Sequence, residues 1–350
     1  MDIWTMHMPI SGVDIFWPGL LLIGFSVGCI GGFFGMGGAW MVTPGLNILG
    51  FPMAFAIGTD IAHIAGKSMI STRRHAKFGN VDYKLGVIMI VGTMIGIEMG
   101  AQVVMLLERL GKVESVVRWV YVALLALIAW LVFADYFKAV KADKAAAAGG
   151  NAEHKAGSGG INWAPTLHKI KIPPMVHFNV AGIYCSMWLP IIVSWLTGVL
   201  AGFLGIGGGL IRMPALVYFI GAPTHIAVGT DLFEVMISGL YGAFTYSLKG
   251  RIEMVAVFVM LCGAAIGAQI GTVATKYAKG YGIRILFGCA VLACLCSIIL
   301  KEFKYNTIAT VIVLGSISII SLVICKIMIG GAINEIREKK AGIVAPESAH

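Results

Sequence analysis

The chain has 350 residues, 58% of them hydrophobic and 12% charged, and a mean hydropathy of +0.89. That balance excludes a soluble globule, which needs a hydrated surface, and the near-continuous apolar runs of about 20 residues are those of a polytopic membrane protein. The formal net charge of +9 reads as the basic bias of cytoplasmic loops, so nucleic acid is not expected as a partner.

The first fourteen residues hold no Lys or Arg, and the apolar run from Ile15 has no small-residue cleavage site. The first span is therefore expected to be retained rather than removed as a signal peptide. Apolar stretches follow at 15–34, 53–72, 84–107 and 115–137, then at 184–204, 223–247, 252–275 and 282–300, with a last one at 305–328. Each is long enough for a membrane helix. Segments 39–50 and 209–221 are apolar but too short to cross. Each comes directly after a glycine cluster, GMGGAW at 35–40 and GIGGGL at 205–210. Each is predicted to form, with the helix before it, a broken re-entrant hairpin whose irregular backbone is buried in protein.

The two halves repeat one another. AIGTD at 56–60 returns as AVGTD at 227–231, Pro44 as Pro214, and the ladder Gly92, Gly96, Gly100 as Gly263, Gly267, Gly271, a period of 170–171 residues. Lys and Arg cluster at Arg73, Arg74, Lys77 and Lys84, fill the loop from Lys138 to Lys171, and return at Lys276, Lys279 and Arg284 and from Arg337 onward. These segments are expected in the cytoplasm with the C-terminus, and the N-terminus outside. That arrangement requires 15–50 and 184–221 each to enter and leave on one side, which leaves three crossings per half. An odd number of crossings turns one half upside down relative to the other. The predicted fold is an all-α polytopic membrane protein of two inverted repeats, each a broken re-entrant hairpin plus three spanning helices, with an extra C-terminal helix. In residue numbers, 1–137 is the first repeat, 138–175 a flexible cytoplasmic linker rich in Ala, Gly and Lys, 176–300 the second repeat, and 301–350 the extra helix and a polar tail.

Ionisable groups inside a membrane are costly and mark candidate sites. Asp60, His63 and Lys67 fall at i, i+3 and i+7 and share one helix face, and the repeat places Asp231, Glu234 and Ser238 on the equivalent face. Glu98 and Gln102 lie one turn apart in the next span, where the second half has Gln269 in place of Glu98. Arg212 stands where the first half has Val42, and its planar fork suits carboxylate, sulfonate or phosphate oxygens. The clusters Gly35, Gly37, Gly38 and Gly205, Gly207, Gly208 open the short hairpin helices, where free backbone N–H groups and the helix N-terminus favour an anion. These glycines, with Arg212, Gln102, Gln269 and Thr59 and Thr230 of the two GTD motifs, form the candidate substrate-binding set; Asp60, His63, Lys67, Glu98, Asp231 and Glu234 form the candidate proton-coupling set. Simpler readings stand beside each. The two aspartates can cap helices, His63 can bond between helices, and Lys67 can snorkel. Arg212 can pair with Glu234 or Asp231, and the glycines can serve close packing alone. The seven cysteines lie in apolar segments without a CxxC pair and read as buried small hydrophobes, and neither a metal nor a cofactor is expected.

The glycine cluster, the proline, the repeated A-[IV]-G-T-D and the loop FGNVDYKLG at 78–86 together resemble the TauE/SafE family of membrane anion exporters, over residues 15–135 and 184–300. The resemblance implies export of sulfite or an organosulfonate such as sulfoacetate. The chain departs from that pattern in carrying Asp60 and Asp231 where many members have Ser, along with His63 and Glu234, and in reading GRIE at 250–253 where the first half has GNVD.

The expected function is alternating-access export of a small sulfur-containing anion across the inner (plasma) membrane, coupled to protons through the buried carboxylates. Its partners would be the anion, protons and the lipid bilayer, and a homo-oligomer is compatible with the sequence. The rivals are an anion channel and a cation or metal transporter that uses the carboxylates as ligands. A membrane-embedded enzyme is disfavoured, because HExxH does not occur and no Cys and His pair stands at metal-ligand spacing.

Overall fold

The computed structural model describes residues 4–34, 39–147, 164–167, 172–277 and 282–340. The first glycine cluster, Gly35, Gly37 and Gly38, lies outside the described residues, as does most of the expected linker. The first half runs from α1 (Trp17–Phe34) through a 3-10 turn (Ala39–Met41) into the short α2 (Val42–Leu49), then α3 (Met53–Lys77), α4 (Tyr83–Arg109) and α5 (Val113–Ala147). After the four-residue α6 (Ala164–Leu167) come α7 (Trp188–Leu204), the short α8 (Gly209–Ala215) with a π-helical turn (Leu216–Ile220), α9 (Thr224–Leu248), α10 (Met254–Tyr277), α11 (Gly282–Glu302) and α12 (Asn306–Lys340).

Among the described residues, five helices are long and apolar enough to cross a membrane: Tyr83–Arg109, Val113–Ala134, Thr224–Leu248, Met254–Ala274 and Asn306–Asn334. Helix α3 has 25 residues, about 37 Å, but its charged face and basic last turns take it out of that set. The protein is thus an all-α polytopic membrane protein. Both short helices end on left-handed glycines at matched positions, Gly50 (φ +114°) and Gly221 (φ +82°), and Pro52 and Pro223 cap the helices that follow.

The helices pair reciprocally. Helix α1 runs parallel to α10, with Gly24, Gly28 and Gly32 against Met260, Ala264 and Ala268, while α7 runs parallel to α4, with Gly92, Gly96 and Gly100 against the stretch from Ile191 to Phe203. The first helix of each half therefore packs on the glycine ladder of the other half. Helices α3 and α9, which carry the GTD motifs, pack antiparallel, Gly239 against Ala65 and Gly242 against Ile61. Helices α5 and α11 meet at Gly288 and Phe133.

The ladders allow backbone to touch backbone. A Cβ at Gly96 would lie 2.6 Å from the Val199 nitrogen, and one at Gly267 2.9 Å from that of Cys29. Gly96→Ala and Gly267→Ala are each expected to destabilise by about 1–3 kcal/mol through overpacking. Gly315→Ala, with nothing within 4 Å, should instead stabilise by up to about 1 kcal/mol as ordinary helix propensity. Thermal unfolding in detergent checks all three, and equal effects would reject the packing role of the ladders.

Three features differ from expectation. Helix α5 continues to Ala147, beyond the boundary expected at 137, because KADKAAAA is strongly helix-forming. Helix α12 likewise continues through the polar end to Lys340. Two small antiparallel β-hairpins precede the two hairpin helices: β1 (Thr5–His7) with β2 (Asp14–Phe16), and β3 (Met175–Phe178) with β4 (Ile183–Ser186).

Candidate functional site

The GTD motifs first hold the two halves together. A Cβ on Gly58 would run into the Arg251 carbonyl, and one on Gly229 into that of Asn80. One residue on, Thr59 Oγ1 accepts from the Glu253 amide at 3.0 Å, and Thr230 Oγ1 accepts from the Asp82 amide at 3.0 Å. The motif glycine admits the loop of the opposite half, and the motif threonine satisfies its N–H. Thr59 and Thr230, expected as substrate contacts, are fully buried and committed to these loops.

The motif aspartates lead inward from that seam. Asp60 Oδ2 accepts from the Thr43 amide at 3.0 Å and from Thr43 Oγ1 at 2.8 Å, so its carboxylate sits on the N-terminus of α2. Asp60 is a cap, as the simpler reading had it, but for the short helix α2 beside it rather than its own. Its second oxygen, both ring nitrogens of His63 and the Lys67 ammonium have no hydrogen-bond partner among the described residues. The nearest approach is His63 Nδ1 to Asp60 Oδ1 at 3.9 Å. Lys67 is 5% exposed and its Nζ is buried, which rules out snorkelling to an interface.

In the second half the corresponding place is filled by Arg212. Its guanidinium folds back toward Gly208 at the start of its own helix, where Nε donates to Thr197 Oγ1 at 3.2 Å and Nη1 meets Asp231 Oδ1 at 3.4 Å. Nη1 also forms an ion pair with Glu234. Arg212 and Glu234 are completely buried. Gly205, Gly207 and Gly208 all take left-handed φ, +81°, +64° and +78°, and make the sharp break between α7 and α8. The carbonyls orphaned at that break are held by tyrosines: Leu204 O accepts from Tyr121 at 2.5 Å and Gly202 O from Tyr246 at 2.5 Å. A Cβ on Gly205 would lie 2.6 Å from Thr43 Oγ1, so the break in one hairpin abuts the start of α2 in the other.

Both hairpin helices therefore already have an anion in place, Asp60 directly at α2 and Asp231 with Glu234 through Arg212 at α8. Asp60 bonds the first turn of α2 at Thr43, and the Arg212 guanidinium lies against Gly208 at the start of α8. Counted formally with His63 neutral, Asp60, Asp231 and Glu234 outweigh Lys67 and Arg212 by one charge. Any further anion must displace a carboxylate or arrive with protons.

Glu98, Gln102 and Gln269 stand elsewhere. Gln102 and Gln269 are exposed, and Glu98 bonds Gln102 at 2.6 Å and Lys249 at 3.1 Å on the outer surface. Glu98 and Gln269 follow ladder glycines Gly96 and Gly267 by two residues, about 200° around the helix, so packing the ladder inward turns them out. Cys262, Cys289 and Cys296 are also exposed, contrary to the expectation that every cysteine is buried. Sequence reasoning missed Thr43 and Thr197; the only signal for them was a hydroxyl in an otherwise apolar run beside each hairpin break.

A family model described as Sulfite exporter TauE/SafE matches residues 20–298. The probable membrane transporter protein YunE of Bacillus subtilis is 26% identical over 262 residues, which cover 72% of this chain and 86% of that protein. A probable membrane transporter protein of Xylella fastidiosa is 24% identical over 276 residues, covering 78% of this chain and 89% of its own. No solved structure matches the chain.

Proposed function

We propose a function for this chain from the premise that it belongs to the sulfite exporter TauE/SafE family of membrane transporters. It carries a small oxyanion, sulfite or an organosulfonate such as sulfoacetate, by alternating access, and the anion exchanges with the protein's own carboxylates. The observation that carries this reading is the buried cluster itself. Arg212 is paired and Lys67 has no hydrogen-bond partner among the described residues, so an anion entering mid-membrane meets Lys67 and His63 first and takes Arg212 when Glu234 or Asp231 accepts a proton. Binding one anion then brings protons along with it, which keeps the buried charge balanced.

The reciprocal contacts of α1 with α10 and α7 with α4, and the antiparallel crossing of α3 with α9, support two inverted repeats about an axis in the membrane plane. Parallel repeats would have placed α3 and α9 side by side in the same direction. The basic segments support an inner-membrane protein with its N-terminus outside and its C-terminus in the cytoplasm. Among the described residues no group of three or more His, Cys, Asp or Glu stands close enough to hold a metal ion, which weighs against a metal substrate.

Purified protein in liposomes tests the reading with sulfite, sulfoacetate, sulfate and acetate. Saturable flux with counterflow for a sulfur oxyanion, and binding that strengthens as pH falls from about 7.5 to 5.5, are expected. Linear conductive flux would mean a channel, and flux of a metal cation without any anion would replace the substrate class.

A further inference from the structure

Two hydrogen-bond chains run from the β-hairpin tips to the motif threonines, the residues just before the buried aspartates, and they are copies of one another. On the face that carries the N-terminus, the tip of the β1–β2 hairpin donates to Glu253 Oε2 from the Ile10 amide at 2.9 Å, the Ser11 amide at 3.1 Å and the Ser11 hydroxyl at 3.3 Å. The Glu253 amide donates to Thr59, whose neighbour Asp60 holds the start of α2. On the opposite face, the Ala181 amide at the tip of β3–β4 donates to Asp82 Oδ2 at 3.1 Å, while Asp82 Oδ1 caps α4 by accepting from Leu85 at 3.0 Å. The Asp82 amide donates to Thr230, whose neighbour Asp231 faces Arg212. Ile10 and Ala181, Asp82 and Glu253, and Thr59 and Thr230 each stand 171 positions apart.

Each hairpin buries part of its apolar face, Met8 and Ile15 in one and Phe178, Ile183 and Cys185 in the other, and its polar tip is held by an acidic residue of the opposite half or the neighbouring helix. Asp82 is 2% exposed and Glu253 is fully buried. A carboxylate taken out of water loses more than an exposed one when its donors leave. Each tip and each motif threonine is thus bound to one and the same acidic residue, and a movement of the hairpin is felt one residue away from the mid-membrane carboxylate.

We propose that Asp82 and Glu253 are positioning residues of two opposed latches, each tying closure of its β-hairpin to the carboxylate at the neighbouring re-entrant helix. The proposal rests on the transporter reading, in which one face must shut while the other opens. The latches are unequal. Among the described residues Glu253 takes three bonds from its hairpin, whereas Asp82 takes one and the exposed Lys84 ammonium adds one to the His177 carbonyl, so at rest the β1–β2 face is the better closed and the β3–β4 face opens more readily. In the orientation given above, the open face is cytoplasmic, where an exporter loads.

Side-specific thiol labelling tests this without any substrate, so a wrong substrate class cannot be confused with wrong latches. In a chain with its seven cysteines replaced, Ser238→Cys places one thiol in the buried centre, and an impermeant maleimide is applied from either side of oriented vesicles. The starting protein should label faster from the β3–β4 face. Glu253→Ala should raise labelling from the β1–β2 face by about tenfold, and Asp82→Ala should raise it from the β3–β4 face, the loss of a charge-assisted bond being that large. Asp82→Asn, which keeps the cap on α4, should shift labelling the same way by less. Should either alanine variant fail to fold, Thr59→Val and Thr230→Val break the same chains with both carboxylates intact and should reproduce the two opposite shifts. Variants of the two chains that raise labelling from one common face, or folded variants that leave it unchanged, would overturn the proposal, as would faster labelling of the starting protein from the β1–β2 face.

Discussion

Glu234→Gln is expected to bind sulfite or sulfoacetate about tenfold more tightly than the unaltered protein at neutral pH, and to lose most of the tightening that acid brings. Glu234 is completely buried and its charge is engaged by Arg212. A carboxylate and a substrate oxyanion compete for the same guanidinium fork. On the proposed mechanism Glu234 takes a proton before it lets go, so anion affinity should be high at low pH and fall as pH rises. Glutamine has the same shape and no charge to give up, and the variant is fixed in the released condition at every pH. The pH dependence that remains belongs to Asp231, which faces the same guanidinium, and to Asp60 and His63 on α3. Turnover should fall by about tenfold or more, because release needs the carboxylate to reclaim Arg212, and a conformer that holds its ligand too well is trapped. Titration of purified protein at about pH 5.5 and 7.5, with flux in liposomes, separates the two effects. Weaker binding with the pH slope intact would mean that Arg212 and Glu234 form only a structural pair. Arg212→Ala is the blunter experiment. It should remove binding, but it strands two carboxylates and costs about 3–5 kcal/mol of stability.

The duplication, the paired hairpins and the shared face of Asp60, His63 and Lys67 were legible because each is a local pattern: a repeat, a run too short to cross, a 3.6-residue period. The ladder that packs the halves was equally visible, and it carried more than the reading took from it. Once Gly96 and Gly267 face a neighbour, Glu98 and Gln269 two positions on must face away, so their exclusion from the site needed only the helix period. What no pattern in one chain reports is which residue of the other half arrives. Thr59 and Thr230 look like ligands beside an aspartate until Glu253 and Asp82 are seen to donate to them. The acceptor at the first turn of α2 escaped for the same reason, since it is Asp60, 17 positions along the chain from Thr43. The β-hairpins escaped because three- and four-residue strands beside long apolar runs leave no alternation to count.

Replacing Lys67 with methionine is expected to make the protein more stable and to stop it working. The ammonium is buried with no hydrogen-bond partner among the described residues. A lone ammonium removed from water carries a penalty of several kcal/mol that an ion pair at contact distance would offset. Asp60, the carboxylate on its own helix face, is instead turned to Thr43. Methionine keeps the unbranched stem and removes the charge, so unfolding should move up by about 1–3 kcal/mol, a few degrees in melting temperature. Transport of the sulfur oxyanion should fall by about a hundredfold, because a cluster cation without a partner among the described residues is gone and the anion loses its first contact in the low-dielectric centre. A gain in stability joined to a loss of activity separates a group kept for its ligand from one kept for the fold, since a structural ammonium lost from a satisfied network lowers both. If Lys67→Met melts earlier than the unaltered chain, the ammonium belongs to a structural pair with Asp60 and the anion's first contact must be sought at His63. Lys67→Arg completes the comparison: it retains the charge, needs more room than the closed cluster offers, and should bind the oxyanion while turning over slowly.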